Sequence, residues 1–216
     1  MNSIRIRAKE HFPTVLLTLL SIVQALALEL LWSHLHETDY LFQLSWIAAV
    51  SWVQIVATVV SIILIWVIYS GNVMRFRWVP STSDSVIPFF IGLAEFMLIE
   101  TLGPDGIGLW LIFVALIFGL MSWVVHSIMR RARQDSDNDA YFNTMPPAAF
   151  SDFYPGFAIV CGLTFAGVYL LIDGGSGMLA MLALLATNGA LAWQFYQVRR
   201  FWELSLAEET EEQSTR

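Results

Sequence analysis

Charge is scarce in this sequence. Of its 216 residues 13% are Asp, Glu, Lys or Arg, about half the ~25% of a soluble domain, while 57% are hydrophobic and the mean hydropathy is +0.64. This composition excludes a soluble globular chain. Cysteine is nearly absent too. The single one, Cys161, leaves no intramolecular disulfide and no thiol pair for redox or metal chemistry. Also missing are a phosphate-cradling glycine loop, an HExxH pair, paired intramembrane histidines for haem, a GxSxG elbow and a potassium-filter TVGYG. No enzyme activity and no cofactor are therefore expected.

What is present is six apolar segments, each long enough to cross a hydrocarbon layer of about 30 Å. They run at about 13–34, 43–70, 86–103, 107–129, 154–172 and 177–198. The first is read as retained, because no small-residue cleavage site follows Leu35 and the chain passes through His34, His36, Glu37 and Asp39 into the second span. The expected fold is an all-α polytopic membrane protein, a bundle of six transmembrane helices arranged as three hairpins.

Base distribution sets the orientation. All eleven bases fall on one side: Arg5, Arg7 and Lys9 before span one, Arg75 and Arg77 after span two, Arg130, Arg131 and Arg133 after span four, and Arg199, Arg200 and Arg216 after span six. The positive-inside rule then places both termini in the cytoplasm, with a basic segment 1–12, a cytoplasmic loop 130–153 and an acidic tail 203–216. The opposite loops hold Glu37, Asp39, Asp105 and Asp173 and no base. Such a face attracts cations and repels anions, although acidic outer loops also follow simply from excluding bases. Short loops without glycosylation sites suggest a bacterial inner (cytoplasmic) membrane. A formal charge of −7 gives no ground for a nucleic-acid partner.

Each odd span carries a proline near its cytoplasmic start, Pro13, Pro88 and Pro155, where a missing N–H costs nothing in a first helical turn. Each even span ends on 66-WVIYS-70, 123-WVVHS-127 or 193-WQFYQ-197, followed by arginines. An interfacial aromatic belt accounts for this echo as well as a repeat does, and His126 belongs to that belt. Small-xxx-small rows, Ala158/Gly162/Ala166 in span five and Ala183/Thr187 with Ala186/Ala190 in span six, predict tight packing of these two spans, within one chain or in a homo-oligomer.

Polar residues inside the spans carry the functional expectation. At 100° per residue Thr14, Thr18, Ser21 and Glu29 fall within an arc of about 80° on span one, and Ser51, Gln54, Thr58 and Ser61 share a similar arc with Tyr69 on span two. Both stripes are expected to face the bundle interior. Hydroxyls alone are more simply explained by bonds within the helix or across a helix pair. Carboxylates are not, because a charge near the bilayer centre costs at least about 2.5 kcal/mol unless paired or hydrated.

Three acids lie within spans: Glu29, Glu95 and Glu100. Glu29 and Glu100 each stand five residues from an outer polar residue, about 7.5 Å inside the boundary, and Glu95 lies about 7.5 Å deeper. No lysine or arginine lies in any span, so Glu95 must be a neutral carboxyl, a hydrated one or a cation site. Glu29 and Glu100 can reach headgroup water. Span three places Glu95 and Glu100 about 140° apart, so they line one wide cavity or face different neighbours.

Two further patterns are weak. His34 and His36 with Glu37 and Asp39 could take a divalent metal, but two histidines at i, i+2 are usually just solvated. Asp135-x-Asp137-x-Asp139 starts like a calcium loop and fails at Ala140 and Pro146, where glycine and glutamate are needed. The resulting expectation is a small channel or coupled carrier for a cation or protons, its path running by Glu100, Glu29, Glu95, Gln54, Thr58 and Tyr69. The alternative is a non-transporting sensor or assembly subunit whose 130–153 loop contacts a cytoplasmic protein.

Overall fold

Inside hydrocarbon every backbone amide needs an internal partner, and long apolar runs with few breakers satisfy theirs as helices. The structure, a computed structural model, describes residues 3–143, 145–173 and 177–214, with side chains described from 4 to 203. Long helices α1 (Ser3–Glu37), α2 (Trp46–Arg75), α3 (Thr82–Glu100) and α4 (Ile107–Ala132) are followed by the single turn α5 (Asp139–Phe142) and by α6 (Tyr154–Asp173) and α7 (Met178–Ser214). Among the described residues six helices are long and apolar enough to cross a membrane, and no strand occurs. The chain is an all-α membrane protein.

Helix ends follow local chemistry. The Ser45 hydroxyl accepts from the Ala48 N–H at 3.1 Å and starts α2. At the start of α3 the Asp84 carboxylate accepts from the Ser81 N–H at 2.8 Å and from Trp78 Nε1 at 3.3 Å. The same carboxylate pairs with Arg131 at the end of α4, and this fastens the basic ends of two helices. Two of the three prolines sit deeper than the sequence suggests. Pro13 and Pro88 lie inside α1 and α3, and only Pro155 occupies a first turn. Both helices start earlier than their apolar runs, on polar residues that the hydropathy pattern leaves outside the span.

α2 is the most buried span, meeting α1 and α7 along its sides and reaching α3 and α4. The tight crossing is not between α6 and α7 as the small-residue rows predict. α6 packs on α4 and α7 packs on α2, while α6 and α7 meet only lightly. Glycine decides this. A Cβ on Gly167 would stand 2.6 Å from the Gly108 carbonyl oxygen, and one on Gly108 would stand 2.9 Å from that of Gly167, so the α4 and α6 backbones touch where neither has a side chain. Gly162, in the predicted row, faces open space, and Ala158 is exposed. On α7 the Asn188 amide donates to the Val53 carbonyl of α2 at 3.2 Å.

The stretch after α4 is tied down over its first half. Lys9 of α1 binds Asp135 at 2.5 Å and Asp137 at 3.2 Å. Asn138 accepts from the Arg77 N–H at 3.0 Å and donates to the Arg77 and Ala132 carbonyls at 2.6 and 2.8 Å. Lys9 lies outside the apolar run that begins near Pro13, and its hydrogen bond to Asp135 raises its ammonium above the ordinary value of 10.5. The segment 130–143 is therefore fastened to the basic end of the bundle.

Candidate functional site

Hydroxyls that bond their own helix have no need of the interior, and α1 shows the consequence. Thr18 Oγ1 donates to the Thr14 carbonyl and Ser21 Oγ to the Leu17 carbonyl, each at 2.8 Å. Thr14, Thr18, Ser21 and Glu29 are all exposed, so the span-one stripe faces outward and the expectation of an interior stripe is corrected. The buried face of α1 carries Leu16, Leu20, Val23, Ala27 and Leu31, and with them Gln24. The α2 stripe does face inward: Ser51, Gln54, Thr58, Ser61 and Tyr69 are all buried.

Glu95 of α3 has no solvent-exposed surface. Its Oε1 lies 3.5 Å from Gln24 Nε2, at the limit of a hydrogen bond, and its buried Oε2 has no hydrogen-bond partner. Gln24 Nε2 is held more firmly by the Ile62 carbonyl of α2, at 2.9 Å. The Ser61 hydroxyl beside Ile62 is likewise buried without a partner. Ile62 stands 16 residues after Trp46 and 13 before Arg75, about 24 and 20 Å along α2. The carboxyl thus lies near mid-membrane, where α1, α2 and α3 meet. No ion pair among the described residues reaches it.

One turn from Glu95, α1 and α3 approach as closely as glycine allows. A Cβ on Gly92 would come within 2.2 Å of Val23 Cγ1, and a valine cannot yield that much without the helices parting. Val23 and Gln24 on one side, with Gly92 and Glu95 on the other, form a single interface, so separation of α1 and α3 would expose the carboxyl.

The acidic end of the α2 stripe is sealed by bonds across helices. Gln54 Nε2 donates to the Thr101 carbonyl at 3.2 Å, and its Oε1 accepts from the Gly103 N–H at 2.9 Å. Trp110 Nε1 of α4 donates to Thr58 Oγ1 at 3.0 Å, and Tyr40 OH meets Ser51 Oγ at 3.3 Å. Replacing Gln54 by leucine would strand a buried donor and an acceptor in the α3–α4 turn. The expected cost is about 2 kcal/mol, read as a lower melting temperature in detergent.

The remaining predicted residues are dispersed. Glu29 and Glu100 are exposed on the outside of the bundle, which suits carboxylates reaching headgroup water. Glu95 and Glu100 therefore face different neighbours. Tyr69 is buried seven residues beyond Ile62 toward the basic end. His34 is half-buried and His36 exposed, both on the last turn of α1 rather than in a loop, and His36 packs on Trp32 with ring centroids 4.8 Å apart. Among the described residues no three His, Cys, Asp or Glu side chains gather as a metal site would need.

Gln24 is the site residue that the sequence pattern hides. It lies well off the hydroxyl stripe, and its signal was a lone amide among the leucines and alanines of the face that turned out to be buried. Comparison with known protein families, with curated proteins and with solved structures finds no match to this chain.

Proposed function

We propose that this protein is a proton- or cation-coupled carrier in which Glu95 is the ion-binding group, occluded in the arrangement described. The observation that supports it is the Glu95 carboxyl itself: fully buried near mid-membrane, with one oxygen unpartnered and no base beside it. An ionised carboxylate there lacks water and counter-charge, so the closed arrangement suits a neutral acid or one holding a cation. A purely structural acid would be expected to use both oxygens.

The working orientation puts the basic end and both termini in the cytoplasm, of a bacterial inner membrane on this reading. Cations concentrate at the acidic face. Opening of the Gln54 and Thr58 contacts admits one to Glu95, Gln24 steadies the bound form, and parting of α1 from α3 at Gly92 releases it past Tyr69 to the basic side. An open channel fits less well, because no solvent reaches Glu95 in the closed bundle.

Flux into liposomes holding the purified protein tests the proposal. Under imposed pH, sodium, potassium or divalent-cation gradients, at least one gradient should dissipate faster than in protein-free vesicles. A folded protein that moves none of them would overturn transport and favour the non-transporting alternative.

A further inference from the structure

At the basic end, α2, α4 and α7 line an open cavity of about 880 Å³ that the carrier reading does not use. Its volume lies within the ~300–1,000 Å³ of ligand sites. One end is cationic: Arg75, Arg199 and Arg200 line it together with Asn72 and Ser70. The other end is apolar, walled by Trp66, Val125, Met129 and Phe195. Trp66 and Arg75 stand nine residues apart on α2, so the wall runs about 14 Å from the arginines into the hydrocarbon layer.

Charge at the mouth is only partly answered from within. Arg199 Nε binds Glu203 at 2.8 Å, and Asp152 also lines the cavity. Arg75 and Arg200 have no carboxylate partner among the described residues. Arg75 Nε is buried without a hydrogen-bond partner, and its guanidinium carbon lies 4.3 and 5.0 Å from the ring centroids of Phe201 and Trp202. These cation–π contacts hold the guanidinium at the cavity wall, and its unpartnered Nε–H is a donor that a phosphate oxygen can take up.

We propose that this cavity binds an anionic phospholipid, with the headgroup phosphate on Arg75 and Arg200 and an acyl chain along the Trp66 wall. A free anion would need only the mouth, and a neutral lipid only the wall. A basic recess between transmembrane helices with an apolar extension takes both at once.

The test is native mass spectrometry and thermal-shift titration of the detergent-solubilised protein with phosphatidylglycerol, phosphatidylcholine and inorganic phosphate. Phosphatidylglycerol should bind at least about tenfold more tightly than phosphatidylcholine, a gap of 1.4 kcal/mol, and inorganic phosphate should not compete at millimolar concentration. Arg75→Gln should remove the preference and Arg75→Lys should restore part of it. Because Arg75 also packs on α7, Arg200→Gln gives a check free of folding effects: Arg200 is exposed, and the preference should fall while the melting temperature without lipid is unchanged. Equal binding of the two lipids, a preference that survives both arginine substitutions, or phosphate binding as tightly as the lipid would each overturn the proposal.

Discussion

Gly167→Leu is expected to cost about 3 kcal/mol and to detach α6 from α4. The reason is that the contact is backbone against backbone. A Cβ at residue 167 would lie 2.6 Å from the Gly108 carbonyl oxygen and 2.8 Å from Ile112 Cγ1, and a carbonyl inside a helix has no rotamer through which to retreat. Little else anchors α6, whose buried residues are Leu163, Gly167 and Leu170. Thermal unfolding in detergent, followed by tryptophan fluorescence, should show a large fall for Gly167→Leu and almost none for Gly162→Leu, where the space is open. Equal effects would mean that α6 packs through the Ala158/Gly162 row instead.

Glu95→Gln is expected to abolish ion flux while leaving the fold intact. The amide has the shape of the acid and can still face Gln24, so the change in stability should be on the order of 1 kcal/mol, the net worth of one hydrogen bond. It can neither release a proton nor neutralise a cation. Two further substitutions separate this role from simple packing. Gln24→Leu should shift the pH or cation dependence of flux, because it removes the donor 3.5 Å from Oε1, whereas Glu100→Gln, at an exposed position, should leave the fold and most of the flux unchanged. Loss of flux in all three with loss of folding would assign Glu95 to architecture.

Much of the fold was legible because hydrocarbon imposes one rule on the whole chain. Six apolar runs could only become helices, and the α2 stripe faces inward because Gln54, Thr58 and Ser51 bond across helices or meet the α3–α4 turn. Partner choice was less legible. Small residues at four-residue spacing mark where helices can approach, but Gly108 and Gly167 approach because they are opposed in space, and no spacing within one helix records that. The α1 hydroxyls misled for a related reason. Thr18 and Ser21 donate to carbonyls of their own helix, and Ser21 Oγ also accepts from Trp66 Nε1 of α2 at the bundle surface, so polarity there did not point to the interior.

The site was half visible. Glu95 stands out because no base in the sequence can reach it, and the structure leaves it unpaired as that argument requires. Gln24 did not stand out, since one amide in an apolar helix carries no charge penalty and shares no stripe. Glu29 and Glu100 look equivalent to Glu95 in composition and differ only in which face they occupy, which depends on neighbours that hydropathy does not name.

Passive and gradient-driven flux in liposomes, measured side by side for the wild-type protein and Glu95→Gln at matched reconstitution and over a range of outer pH, tests the central claim most directly. The account predicts protein-dependent flux that varies with pH in the wild type and falls to the protein-free level in the variant, with both equally folded. Wild-type flux in Glu95→Gln would contradict it, because the only fully buried and unpaired carboxyl among the described residues would then have no part in moving the ion.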